Sequence, residues 1–221
     1  MRRFLFFAVL LAFSLVTVQA QNPSAKWKSA IQKFEQQDET DPPAKGGVLF
    51  VGSSSIRMWD LDESFPDKDY INRGFGGSQI ADSIAYLDQL VLKHRPKVVL
   101  MYAGDNDIAA GKSAKTVAND FKTFQQKVHA ELPGTRIMYI AIKPSIKRWD
   151  MYPKMADANA LIASQCEANP RLTYLDIATP MIEEDGKPNP DLFAKDGLHL
   201  NKSGYEVWTQ VVTPHLDSGC R

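Results

Sequence analysis

The chain has 221 residues, 44% hydrophobic and 24% charged, with 13 Gly and 13 Pro, the size and make-up of one ordinary globular domain. That excludes a disordered chain, a collagen and a coiled coil. Lys+Arg and Asp+Glu both number 26 and the formal net charge is zero, so electrostatic capture of nucleic acid is not expected.

The amino-terminal stretch departs from this average. Arg2 and Arg3 precede an apolar run over 4–11 that continues more weakly to Val18, and Val18-Gln19-Ala20 places tolerated side chains where a signal peptidase reads. The pattern predicts a signal peptide over 1–20, cleaved after Ala20, and a single domain over 21–221 that is periplasmic or secreted. An uncleaved anchor is the alternative, but a span takes about 20 predominantly apolar residues and this segment barely suffices. Cleavage removes Arg2 and Arg3 and no acid, leaving 24 basic against 26 acidic side chains, a formal charge of −2. No later apolar run is long enough to span a membrane.

An amphipathic helix is predicted over 26–37, where Trp27, Ala30, Ile31 and Phe34 fall at helical spacing behind Ser24 as a cap, and Pro42-Pro43 closes the segment. The continuous apolar run 47–51, closed by Gly52, reads as a strand buried on both faces. Strand and helix then alternate: a strand over 69–72 and a helix over 79–94, a strand over 97–102 and a helix over 114–132, a strand over 136–142, a loop over 143–152 and a helix over 153–166. A fifth strand over 172–177, a Pro/Asp-rich loop and a final helix over 202–216 complete the chain. Such alternation predicts an α/β fold with a parallel sheet covered on both faces.

Cys166 and Cys220 are the only cysteines, too few for a four-cysteine zinc site. Export permits a disulfide between them, which is expected here, with two unpaired thiols as the alternative.

In open parallel sheets ligands bind beyond the carboxyl ends of the strands, and four post-strand segments carry reactive residue types. Gly52-Ser53-Ser54-Ser55-Ile56-Arg57 puts serines in a strand-to-helix turn, where a hydroxyl and its own amide can face one spot; an N-capping serine cluster has the same appearance. The second glycine of the Gly-x-Ser-x-Gly elbow is absent. Asn72-Arg-Gly-Phe-Gly-Gly-Ser78 is either a tight turn or an amide donor aimed at an anion. Gly104-Asp105-Asn106-Asp107 offers a side-chain amide to an oxyanion, or an Asx-turn. Asp196-Gly-Leu-His199 spaces one carboxylate to hold one imidazole, or forms a surface hydrogen bond.

In this order and over nearly the whole mature chain, Gly52-Ser53-Ser54, Gly77, Gly104-Asp105-Asn106-Asp107 and Asp196-Gly-Leu-His199 resemble the four blocks of the SGNH, or GDSL-like, hydrolase superfamily. The segment around Phe50-Val51-Gly52-Ser53-Ser54-Ser55-Ile56-Arg57 is most similar to its branch of platelet-activating-factor acetylhydrolase-like esterases. The resemblance implies a flavodoxin-like three-layer α/β/α sandwich on a five-stranded sheet. It also implies Ser54 as nucleophile, His199 as base, Asp196 as its orienting acid, and an oxyanion hole made by Ser54, Gly77 and Asn106, with no metal or other cofactor. One position departs from the family signature: Ser53 stands where an Asp precedes the nucleophile, which leaves Ser53 and Ser55 as competing registers. Ser54 is retained because the Gly-x-Ser spacing and the following Ile56-Arg57 fit best there.

The expected activity is hydrolysis of short-chain carboxylic esters, acetyl groups first among them and carbohydrate the preferred carrier. The alternatives are an acyl-ester, thioester or lysophospholipid hydrolase, and a non-catalytic carbohydrate-binding protein on the same fold. The loop 143–152 combines Lys143, Lys147 and Arg148 with Trp149 and Tyr152. It is expected to overhang the strand ends and select the substrate, or else to be a solvated loop around a buried Trp149.

Overall fold

A computed structural model describes residues 25–217. Five strands, β1 (Val48–Gly52), β2 (Ile71–Gly74), β3 (Val98–Tyr102), β4 (Arg136–Ile140) and β5 (Leu172–Leu175), form one sheet in the order β2-β1-β3-β4-β5, and every pairing is parallel. The chain therefore starts in mid-sheet, steps to one edge and returns across β1 to the other. The reversal lies between β1 and β3, where the loops after both strands open a crevice.

The helices are α1 (Lys28–Thr40), α2 (Ser54–Arg57), α3 (Leu61–Ser64), α4 (Ile80–Ala85), α5 (Leu87–Leu90), α6 (Asp105–Ala109), α7 (Ala114–Glu131), α8 (Tyr152–Glu167) and α9 (Lys202–Asp217). Period-two alternation along the strands divides the apolar side chains between two cores. Leu49, Val51, Val99, Met101 and Ile137 pack with α1, α4, α5, α7 and α8. Phe50, Leu100, Met138 and Ile140 face Trp59, Trp208 and Val212 on the other side. α7 shows how a helix meets this demand: Val117, Phe121, Phe124 and Val128 recur every three or four residues and are buried, and Ser113 Oγ accepts from Thr116 N at 3.1 Å to cap the first turn.

The elements match the sequence reading within a few residues at their ends, with three differences. The first helix runs on to Thr40, so Pro42 ends it two residues past its last turn; Ser24, its expected cap, lies outside the described residues. The helix expected over 79–94 is broken at Tyr86 (φ −108°, ψ 26°) into α4, α5 and a 3-10 turn at Leu92–His94. Trp149 is half-buried instead of buried and stacks on Tyr152 at 4.9 Å. The segment 1–20 and Cys220 also lie outside the described residues, while Cys166 is buried in the α8 core. Among the described residues no helix is long and apolar enough to cross a membrane.

Candidate active site

β1 ends at Gly52, whose φ of +144° and contact with the Tyr102 carbonyl leave no room for a side chain: a Cβ there would stand 1.8 Å from Tyr102 O. Ser53 N donates back to that carbonyl at 3.0 Å, and the chain turns into α2. Asn72, within β2, braces the turn, its amide donating to Ile56 O at 2.8 Å and Trp59 O at 3.2 Å while its own oxygen accepts from Gly74 N at 2.9 Å. Ser53 and Ser55 are only 1% and 2% exposed, whereas Ser54 is half-buried and opens onto the cleft. The Ser53 hydroxyl, where the family signature has a carboxylate, is buried with no hydrogen-bond partner among the described residues. Tyr102 and Asn72 hold the turn in its place.

Across the sheet edge the segment Asp196 to His199 folds on itself. Asp196 Oδ1 accepts from Leu198 N at 2.9 Å and His199 N at 3.0 Å, and Oδ2 lies 2.6 Å from His199 Nδ1. His199 Nε2 is 3.1 Å from Ser54 Oγ. A carboxylate only accepts, so this pairing puts the proton on Nδ1 and leaves Nε2 to accept from the serine hydroxyl. The imidazole hydrogen bond, followed by the two backbone N–H bonds, holds the Asp196 carboxyl well below the usual carboxylate range, and it stays ionised at neutral pH.

The donor side of the cleft is built by two loops. Ser78 Oγ sits within bonding distance of Phe75 O (2.8 Å) and Gly52 O (3.2 Å), tying the loop after β2 to the end of β1. Gly77 (φ +74°) lines the cleft beside Ser54 and, among the described residues, neither its N–H nor that of Ser54 finds an acceptor. Asn106 donates one amide hydrogen to Ser78 O at 3.1 Å, leaving its second free, while its oxygen accepts from Arg148 Nη1 at 3.1 Å. Asp105 and Asp107, the flanking carboxylates, serve the scaffold. Asp105 pairs with Arg148 at 2.8 Å; Asp107, fully buried, accepts from Ile80 N of α4 at 3.3 Å and at 2.8 Å from Lys112, in the loop before α7, which also donates to Asp120 of α7 at 2.8 Å. Burial raises the Asp107 carboxyl against the opposing pull of Lys112.

Ser54, Gly77, Asn106 and His199 thus meet in one cleft of about 410 Å³. A larger groove of about 910 Å³ beside α1 and β2 contains none of them. The loop 143–152 does overhang the strand ends, as expected, and supplies two contacts that motif reading missed. Arg148 clamps Asp105 and Asn106. Lys143, fully buried, donates to Leu198 O at 2.7 Å, one residue before the imidazole, and burial pushes its ammonium down to about 8. The cation-rich composition of the loop was the only signal for either.

The arrangement has relatives. No curated protein sequence matches the chain. Its fold is similar to a Streptococcus pneumonia protein described as a platelet activating factor, with TM-score 0.77 and 22% identity over 86% of this chain and 93% of that one. It is similar to a GDSL-like lipase from Bacteroides thetaiotaomicron, with TM-score 0.75 and 18% identity over 85% and 97%. A catalytic mutant of an acetylxylan esterase from Geobacillus stearothermophilus follows, with TM-score 0.63 and 13% identity over 78% and 95%. The GDSL-like Lipase/Acylhydrolase family matches residues 52–207, a segment that runs from the end of β1 into α9 and holds every residue of the cleft, and the chain belongs to that family of hydrolases acting on ester bonds.

Proposed function

We propose that the protein is an exported serine esterase that removes short acyl groups, acetyl foremost, from carbohydrate. The observation that carries the catalytic part is the hydrogen-bonded chain Asp196–His199–Ser54, with spacings of 2.6 and 3.1 Å. His199 takes the Ser54 proton as Oγ attacks the ester carbonyl. The negative oxygen that forms is held by the free N–H groups of Ser54 and Gly77 and the second amide hydrogen of Asn106. His199 returns the proton to the leaving alcohol, and water then repeats the sequence on the acyl-enzyme and frees the acid.

The small cleft, about 410 Å³, favours a short acyl group over a long chain. Fold likeness to an acetylxylan esterase agrees with an acetylated polysaccharide. Export rests on the charged and apolar pattern of residues 1–20, and intact mass of the exported chain tests it: a start at Gln21 is expected, and retention of Met1 contradicts it.

A panel of esters differing only in acyl length, run beside acetylated oligosaccharides, tests the activity. The expected result is turnover falling steeply beyond short acyl chains and abolished by Ser54→Ala. Undiminished turnover in Ser54→Ala, or none across the panel with the native chain, contradicts the mechanism.

A further inference from the structure

The cleft is lined by three cations, Arg57, Lys143 and Arg148, and by one carboxylate, Asp105. Two of the cations have partners: Lys143 is bound to Leu198 O, and Arg148 neutralises Asp105. Arg57 has neither. It is exposed, and among the described residues no carboxylate pairs with it. Isolated surface cations are ordinary, but this one has a specific seat. It lies one helical turn after Ser54, and its guanidinium runs across Gly76, so that a Cβ at Gly76 would meet Arg57 Nε at 3.1 Å and Nη2 at 3.5 Å. The charge therefore rests on the loop that carries the Gly77 N–H, at the rim of the site.

Arg148 points the same way. Both of its hydrogen bonds leave from Nη1; no described residue accepts from its Nε or Nη2, although a guanidinium carries five N–H donors in a fixed fork. Two guanidinium groups with unused donors thus line the cleft that holds Ser54, an arrangement suited to a planar oxyanion more than to a neutral hydroxyl.

We infer that Arg57 and Arg148 make this site selective for esters that carry a carboxylate beside the scissile bond. The carboxylate belongs either to the alcohol part, as in an O-acetylated acidic sugar, or to the acyl part, as in the free end of a dicarboxylic half-ester. The inference rests on the esterase reading of Ser54 and narrows its substrate class.

Two matched pairs separate these sources. 4-Nitrophenyl hemisuccinate against 4-nitrophenyl butyrate places the charge on the acyl side at equal chain length, and O-acetylated methyl glucuronide against O-acetylated methyl glucoside places it on the alcohol side. The readout is the kcat/KM ratio of charged to neutral ester within each protein. The full chain should favour the charged member of at least one pair by about tenfold, the worth of one charge-assisted hydrogen-bonded contact. The ratio should shrink in high salt, fall to about one in Arg57→Gln, and be partly kept in Arg57→Lys. Ratios near one in both pairs, or a preference that survives Arg57→Gln, would overturn the inference while leaving the esterase reading intact. No turnover of any of the four esters would overturn both.

Discussion

In the proposed mechanism Asn106 is the one side chain among the oxyanion donors. One amide hydrogen is committed to Ser78 O and the oxygen to Arg148, so the side chain is fixed with one donor left over. Asn106→Ala should therefore lower kcat by about 10²-fold or more with little change in KM, the scale of a lost oxyanion donor; steady-state kinetics with a short-chain ester measures it. An unchanged kcat would reduce Asn106 to a brace between two loops. At this scale the turns that carry Ser54, Gly77, Asn106, Asp196 and His199 were legible as places for chemistry, but each motif alone also fitted a cap, a turn or a surface hydrogen bond, and it was the family resemblance that picked out these five residues. The carboxylates of Asp105 and Asp107 were legible only as part of a motif, and their separate partners, Arg148 and Lys112, depend on where other elements pass. The hold of Lys143 on Leu198, 55 positions away, has no local signature at all.

The interrupted helix after β2 marks the limit of periodicity among the elements. Ile80, Ser83, Leu87, Leu90 and Val91 are all buried, and their spacing of three or four residues runs unbroken through Tyr86. Periodicity reports which face is covered and not whether the hydrogen-bond ladder is continuous, so one helix was expected where two short ones and a 3-10 turn stand. The end of that segment meets α1 in a charge cluster that is buried except at Lys93. Asp38 pairs with Arg73 of β2 and with Lys93 at 2.5 Å, and lies 3.5 Å from His94 Nε2. Burial first, and then repulsion from Arg73 and Lys93 against the pull of Asp38, push the His94 imidazole down from 6.5 to about 4. Between those values the unfolded chain binds a proton that the folded chain resists, so stability should fall as pH drops through the window. Denaturant midpoints from pH 7 to pH 4 should show the loss, and His94→Gln should flatten it. An equal slope in that variant would assign the acid sensitivity to other groups.

For the molecule as a whole, the alternation of strands and helices predicted a parallel sheet covered on both faces, and apolar runs such as 47–51 and 97–102 marked its centre. The strand order did not follow from the residues themselves. Continuous apolar runs identify buried strands without saying which are neighbours, and it was the family resemblance that supplied the flavodoxin-like arrangement. That order is nevertheless what makes the site: β1 and β3 lie side by side, so Ser54 and Asn106 share one crevice, and the segment before α9 returns to place His199 against a serine 145 positions earlier. The serine register is the point on which everything else depends. Reaction of the intact protein with a fluorophosphonate, followed by peptide mass mapping, tests it most directly, since His199 can activate only the hydroxyl it touches. One adduct on Ser54 is expected, absent in Ser54→Ala, strongly slowed in His199→Ala and retained in Ser53→Ala and Ser55→Ala. An adduct on Ser53 or Ser55, or a native protein that takes up no label, would contradict it.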